Sequence, residues 1–473
     1  MQRISACHLP LDCMGGAEQV VAENGQVRAV VPAMDAATID RVCTRLLDAR
    51  AELAAMPVSR VVRSIDAAAR RLLDPAEQER VRVLESLRDI SGYSEAMAVH
   101  VLDRVVADWL APQLERLLHE ELGGADAIES FTRTAGGRRI RAVAPPLGLH
   151  VFSGNVPGVG VTSIVRALLV RSAVLGKSAA AEPSLAPAFA RLLAEVDPGL
   201  GRCVAITYWR GGDRAIENAA LARVGLVVQY GGAEAVAALR ARAPAHVHFV
   251  EHGPRISFAI IAVAADENVR TAAADLARAV ALFDQQGCVS PQLAYVIGTV
   301  ECARSLAQAT AGALADLQVE LPRGRISAAE AVAIRDLRTS AEFGAIAGRG
   351  GELWAGHDLS YSVILSEDPA FQGSCLNRTL LVKHVPDLAD VLRAVAPVGH
   401  LLQTVGLSGF PPEKITGVAA ALADAGATRI TTVADMPWPP PAWHHDGRGP
   451  LRELVRWCDL EVPDLPDLAS LNG

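Results

Sequence analysis

Residues 145–179, PPLGLHVFSGNVPGVGVTSIVRALLVRSAVLGKSA, pass from a short apolar run through a glycine-rich loop and a helical stretch into a second apolar run. Similar β-rich runs recur downstream, CVAITYW at 203–209, LVVQYGG at 226–232 and ISFAIIAVA at 256–264, with helical stretches such as PAFARLLAEV (187–196) and AEAVAALRARA (233–243) between them. Alternation of strand and helix predicts a parallel, doubly wound α/β sheet, in which ligands sit at the carboxyl ends of the strands. None of the strand-to-helix turns carries G-x-G-x-x-G, so any nucleotide would be held otherwise than on the standard Rossmann loop.

Upstream of that stretch, FTRTAGGRRIRAVAPP (131–146) reads as a hairpin turning at Gly136 and Gly137. Residues 36–120 read as helical, with long apolar periodicity in AATIDRVCTRLLDARAEL (36–53) and AEQERVRVLESLRDI (76–90). A second α/β unit begins near residue 254, with the helix RTAAADLARAVALF (270–283), the loop DQQGCVSPQ (284–292), the strand LAYVIG (293–298) and later runs SVILS (362–366) and TLLVKHV (379–385). The tail MPWPPPAWHHDGRGPLRELVRWCDLE (436–461) is proline-rich, so it reads as extended first and then helical.

Composition narrows the function classes. Hydrophobic residues make up 51% of the chain and aromatics only 4%, as suits packed helices and buried parallel strands. With a net charge of -8 and no basic stripe, nucleic acid is not an expected partner. The apolar run VTSIVRALLV (161–170) meets Arg166 well short of the ~18 residues a membrane span needs. The first residues lack the apolar core of a signal peptide, and eight dispersed cysteines read as reduced thiols, so a cytoplasmic protein is expected. Cys7, His8 and Cys13, and His444 with His445, place metal-ligand types close together without paired CxxC spacing; no metal is expected.

The loop FDQQGCVSPQ (283–292), after an amphipathic helix and before an apolar strand, resembles the nucleophile loop of the aldehyde dehydrogenase superfamily, and more narrowly that of the LuxC-type acyl thioester reductases. Its flanking Gln, Gly and Ser-Pro set Cys288 apart from an ordinary core cysteine. The resemblance implies an aldehyde dehydrogenase-like α/β fold, with two doubly wound domains and a small oligomerisation hairpin. Five parts are expected: a helical N-terminal part of the cofactor-binding domain (1–130), the hairpin (131–145), the NADP-binding domain (146–253), the catalytic domain (254–435) and a C-terminal extension (436–473).

For the site, the resemblance implies Cys288 as nucleophile, Asn155 as oxyanion donor and Glu251, in EHGPRISFAII (251–261), as acid/base residue. Phe152, Lys177, Ser178, Gly211, Gly212, Gly231, Gly232 and Arg378 are the implied cofactor contacts. NAD-preferring members follow the lysine with Pro-Ser-Glu, whose carboxylate repels a 2'-phosphate. Here Lys177 is followed by Ser178, Ala179 and Ala180, which favours NADPH. The implied activity is NADPH-dependent reduction of a fatty or polyketide acyl thioester, on coenzyme A or a carrier protein, to the aldehyde. A partner acyl-transfer or ligase enzyme and a dimer or tetramer go with it. The residues alone leave open an aldehyde dehydrogenase running toward the acid, for which Glu251 would be essential. They also leave open a non-redox acyltransferase or thioesterase, and a non-catalytic scaffold. WHHDGRGPLRELVRW (443–457) and LNRTLLV (376–382) share the resemblance, but no role for them can be derived from it.

Overall fold

The computed structural model describes residues 1–263, 266–347 and 351–462; the last eleven positions of the expected C-terminal extension, 463–473, lie outside them. Two parallel sheets organise it. The first has five strands in the spatial order His248–His252, Leu226–Tyr230, Leu147–Val151, Ala173–Lys177, Val204–Thr207, all paired in parallel. The first strand in the chain is central, the next two lie to one side and the last two to the other. The order therefore reverses beside Leu147–Val151, where a crevice opens at the strand carboxyl ends. The strand Leu147–Val151 reads as a continuous apolar run because both its faces are covered; only Val151 is partly exposed.

The second sheet has seven strands, in the order Glu352–Ala355, Ser362–Ser366, Thr379–Val385, Pro291–Ile297, Ile256–Ala262, Leu402–Ser408, Arg429–Thr432, parallel except at the Glu352–Ala355 edge. Alternate residues feed separate cores. Ala259, Ile261, Ala294 and Val296 pack under the helices Asp266–Ala281 and Val300–Glu320, whereas Phe258, Ile260, Leu293 and Tyr295 pack under Leu388–Val395 and Pro412–Asp424. The loop that carries Cys288 enters this sheet at the amino end of Pro291–Ile297, facing the carboxyl ends of the five-stranded sheet.

The structure corrects the reading of both chain ends. The N-terminal part is not helical throughout: before the helices that begin at Ala36 it forms a three-stranded sheet, Gln2–Ser5, Val27–Pro32 and Glu18–Asn24. This sheet continues into a backbone bridge between His8 and Ile206, which extends the edge of the five-stranded sheet. These strands are too short, and too mixed with polar residues, to show a period in sequence. The tail is not helical beyond the single turn Arg452–Leu454; Arg456–Leu460 is a strand. It pairs antiparallel with Arg139–Val143, so the Thr132–Arg133 and Arg139–Val143 hairpin is part of a three-stranded sheet. Pairing along Arg139–Val143 overrides the local helical signal of the tail.

Candidate active site

The loop that carries Cys288 is built from backbone that most side chains avoid. Phe283, Asp284 and Gln285 take φ of 55°, 49° and 65°, and on the loop opposite, Leu376, Asn377 and Arg378 take 61°, 53° and 60°. Each such residue costs of order 1–3 kcal/mol and persists only where its surroundings over-determine it. Here the two loops determine each other. The fully buried Arg378 guanidinium lies 2.8 Å from the Asp284 carboxylate. Gln285 accepts the Thr379 N–H at 2.8 Å and donates to the Pro291 and Thr379 carbonyls, while Gln286 donates to the Asn377 side chain at 3.1 Å. The segment LNRTLLV thus clamps the loop that carries Cys288. Arg378, expected as a cofactor contact, is buried on Asp284 and does not line the groove beside Lys177.

Cys288 closes the loop, its carbonyl accepting the Ser257 hydroxyl at 2.6 Å. Burial pushes its thiol up to about 11 and the nearby Asp446 charge adds to this, against hydrogen bonds from Gln403 and from the Cys288 and Val289 backbone that favour the thiolate. At neutral pH the group is therefore a thiol. Asn155, from the loop after Leu147–Val151, crosses between the sheets and donates its amide to the Gln286 carbonyl at 2.9 Å. Its own carbonyl accepts the hydroxyl of Tyr93, a residue of the N-terminal helical layer that no sequence signal singled out. A cavity of about 160 Å³ opens on Cys288, walled by Val105, Leu114, Leu117, Phe283 and Trp438. That is close to the ~150 Å³ apolar cavity that stays dry and admits benzene. The proline- and tryptophan-rich tail is one wall of it.

Glu251 is not brought to Cys288. It lies on the strand His248–His252 with its carboxylate 2.5 Å from Arg240, on the helix Ala233–Arg240. Side chains alternate across a strand, so the next residue, His252, faces the opposite side. There His252 Nδ1 lies 3.0 Å from Asp446, whose side chain also accepts Gln403 at 2.7 Å and sits 3.1 Å from Arg255. His252 stacks between Tyr230 and His445, at centroid distances of 4.6 and 4.2 Å, and His445 stacks in turn on Trp443 at 4.7 Å. Burial pushes the Asp446 carboxyl up, but its hydrogen bonds and the nearby histidines outweigh this and hold it down at about 2.

His252, His445 and Asp446 have ligand-type atoms within 4.8 Å of one another. The imidazoles are nevertheless stacked 20° from parallel, so their lone pairs do not converge as a metal at ~2 Å from each nitrogen requires. His8 is committed to the Gly201 carbonyl, and the half-exposed His444 faces Glu121.

The cofactor candidates divide. A groove of about 420 Å³ along the carboxyl ends of the five-stranded sheet is lined by Lys177, Trp209, Gly211, Gly212, Gln229 and Arg242. At Gly211, Gly212, Gly231 and Gly232 an added Cβ would meet nothing within 4 Å. Trp209 Nε1 and Gln229 Oε1, both buried, have no hydrogen-bond partner among the described residues. Open glycines beside unanswered polar atoms fit a polar ligand such as a dinucleotide. The Lys177 ammonium lies 5.7 and 5.8 Å from the Tyr208 and Trp209 rings, its pKa lowered by burial against the opposing charge of Glu217. Of the other expected contacts, Phe152 is buried, its ring filling the space that side chains at Gly160 and Gly176 would occupy, and Ser178, 1% exposed, lies just off the groove with its hydroxyl unpartnered among the described residues.

Among the described residues no helix is long and apolar enough to cross a membrane. Residues 53–457 match the family model described as acyl-CoA reductase (LuxC). The chain is 27% identical over 395 residues to long-chain acyl-protein thioester reductase 2 of Photobacterium leiognathi, covering 81% of this chain and 78% of that one. It is 26% identical over 390 residues to the long-chain acyl-protein thioester reductase of Aliivibrio fischeri, covering 80% and 77%. Among solved structures it resembles aldehyde dehydrogenase 21 of Physcomitrella patens, with a TM-score of 0.76 at 14% identity over 99% of this chain and 100% of that one. A methylmalonate-semialdehyde dehydrogenase of Sinorhizobium meliloti gives 0.73 at 15%, over 99% of each. The fold is that of the aldehyde dehydrogenases, and the chain belongs to the LuxC acyl-CoA reductase family.

Proposed function

We propose that this chain reduces an acyl thioester to the aldehyde with NADPH, through an acyl-enzyme on Cys288. The observation that carries the reading is the meeting, at one loop, of the Cys288 thiol, the Asn155 amide and the mouth of an apolar cavity. The cavity takes the acyl chain. The Asn155 amide hydrogen not used by Gln286 and the Cys288 backbone N–H receive the oxyanion as Cys288 attacks the carbonyl carbon. The loop clamp holds the sulfur in place while the leaving thiol departs.

The apolar lining suits the hydrocarbon next to the carbonyl, the names of the relatives from Photobacterium and Aliivibrio suggest a long chain, and the acyl donor is a thioester of coenzyme A or of a protein. The groove beside Lys177 holds the cofactor, which when bound supplies the hydride to the acyl carbon. The absence of a carboxylate in the three residues after Lys177 supports NADPH over NADH. Glu251, on which oxidation of an aldehyde to the acid would depend, is occupied by Arg240, and this favours the reductive direction.

Intact-protein mass spectrometry tests the reading. Incubated with a long-chain acyl-CoA and no cofactor, the wild-type chain should gain one acyl mass, released as aldehyde when NADPH is added. The Cys288→Ala variant should gain none, and continued aldehyde formation by that variant would overturn the scheme.

A further inference from the structure

The three residues after Lys177 carry no carboxylate, yet the groove beside it is not free of one. Glu217, on the helix Arg214–Leu221 that follows the strand Val204–Thr207, lines the same groove as Lys177, Gly211 and Gly212. It is buried, and both its oxygens are held: Oε1 accepts the Gly212 N–H at 3.0 Å, and Oε2 pairs with the Arg242 guanidinium. Arg242, just beyond the helix Ala233–Arg240, also donates to the Ala238 carbonyl at 3.1 Å and to the Asn218 side chain at 3.4 Å, and it lines the groove as well. Among the described residues, the charged side chains bordering the groove are Lys177, Glu217, Glu234 and Arg242. Glu234 is exposed in the first turn of its helix, which leaves the other three to set the field inside.

We propose that the adenosine ribose of the cofactor lies over the Glu217–Arg242 pair, and that the pair sets how far the groove favours NADPH over NADH. This rests on the reading of the groove as the cofactor site. The two cofactors differ only at the ribose 2′-oxygen, which is a hydroxyl in one and carries a phosphate of about −1.5 to −2 charge in the other. A carboxylate accepts the hydroxyl and repels the phosphate, whereas a guanidinium donates to phosphate oxygens as a fork. Side by side, the two groups hold opposite preferences. Glu217 supplies from another helix the carboxylate that the stretch after Lys177 lacks, and Arg242 supplies the countercharge that keeps NADPH admissible. The net preference is a difference of two opposed effects, smaller than the cations alone would give.

The electrostatics of the groove agree. Burial lowers the Lys177 ammonium, and the Glu217 charge opposes that shift. Glu217 thus answers Lys177 in part as well as Arg242, so removing its charge frees two cations for a phosphate instead of one.

The experiment titrates the full chain with NADPH and with NADH, following reduced-nicotinamide fluorescence with no acyl donor present, so that binding is read and not turnover. Glu217→Gln, which keeps an oxygen for the Gly212 N–H, should raise the ratio of NADPH to NADH affinity about tenfold. Arg242→Gln should lower that ratio about tenfold, and Arg242→Lys, which keeps the charge without the fork, should restore most of it. The adenosine fragments 2′,5′-ADP and 5′-AMP, used as competitors, should show the same shifts, and added salt should shrink them. An unchanged ratio in either Glu217→Gln or Arg242→Gln would overturn the proposal while leaving the groove as the cofactor site. So would an equal loss of both cofactors, the mark of a groove that has merely loosened. Failure of the wild-type chain to bind either reduced cofactor would instead overturn the reading beneath it.

Discussion

Around Cys288, three successive residues at positive φ are each tied, directly or through a neighbour, to the loop Leu376–Thr379, whereas the groove beside Lys177 is bordered by Gly211 and Gly212, whose missing side chains would meet open space, as would those of nearby Gly231 and Gly232. The contrast follows what each half must do. A nucleophile that attacks a carbonyl carbon has to be held near its reactive geometry, since misplacement by about 1 Å costs roughly a hundredfold in rate. A cofactor that enters and leaves every turnover needs room for its backbone contacts and unsatisfied polar atoms to receive it. Strain is stored at one half and open space at the other.

Arg378→Met should break the contrast most severely. It removes one partner of a buried ion pair and leaves Asp284 uncompensated, at a cost of about 3–5 kcal/mol. Chemical denaturation should show that loss, and acyl uptake at Cys288 should fall with it. Cofactor affinity, read by the fluorescence of bound reduced nicotinamide, should stay unchanged in the protein that remains folded. A selective loss of cofactor affinity with stability preserved would return Arg378 to the groove.

Asn155→Ala comes next. Loss of one oxyanion donor lowers kcat by about 10²–10³, or ~3–4 kcal/mol. Single-turnover aldehyde release should show it, with thermal stability nearly unchanged, because Asn155 is exposed and gives up only the hydrogen bond to Gln286. Unchanged turnover would reassign Asn155 to loop packing.

These two residues mark the boundary of what was legible in sequence. The alternation of strand and helix was legible because both sheets are buried on both faces, and the meeting of the Cys288 and Asn155 loops was legible because their motifs sit in order on those elements. Glu251 was legible as a carboxylate at the aligned position, but the two-residue period of its strand, which turns it toward Arg240 and His252 toward Asp446, was not. Arg378 and Phe152 lie close in sequence to site elements but point into packing, which spacing cannot reveal. Asp446 and Gln403 come from segments far from Cys288 in the chain, and only tertiary structure brings them to its thiol. The edge strands at 2–5 and 456–460 formed against partners 22 or more residues away, again beyond any local pattern.

The smallest expected effect tests the open half. At Gly231 the backbone needs no left-handed conformation and an added methyl meets nothing, so Gly231→Ala should leave stability unchanged or raise it by a few tenths of a kcal/mol through the unfolded chain. Any methyl that stands where the cofactor approaches should nevertheless weaken binding, by about tenfold or ~1.4 kcal/mol. Gly212→Ala differs, because its φ of +87° is strained for any side chain and should cost ~1–2 kcal/mol of stability as well. Neither change should slow acyl uptake by Cys288 in the absence of cofactor, since that step belongs to the clamped loop alone. If Gly231→Ala binds reduced cofactor as wild type does, the dinucleotide does not pass over this glycine, and the open space beside Lys177 must have another use.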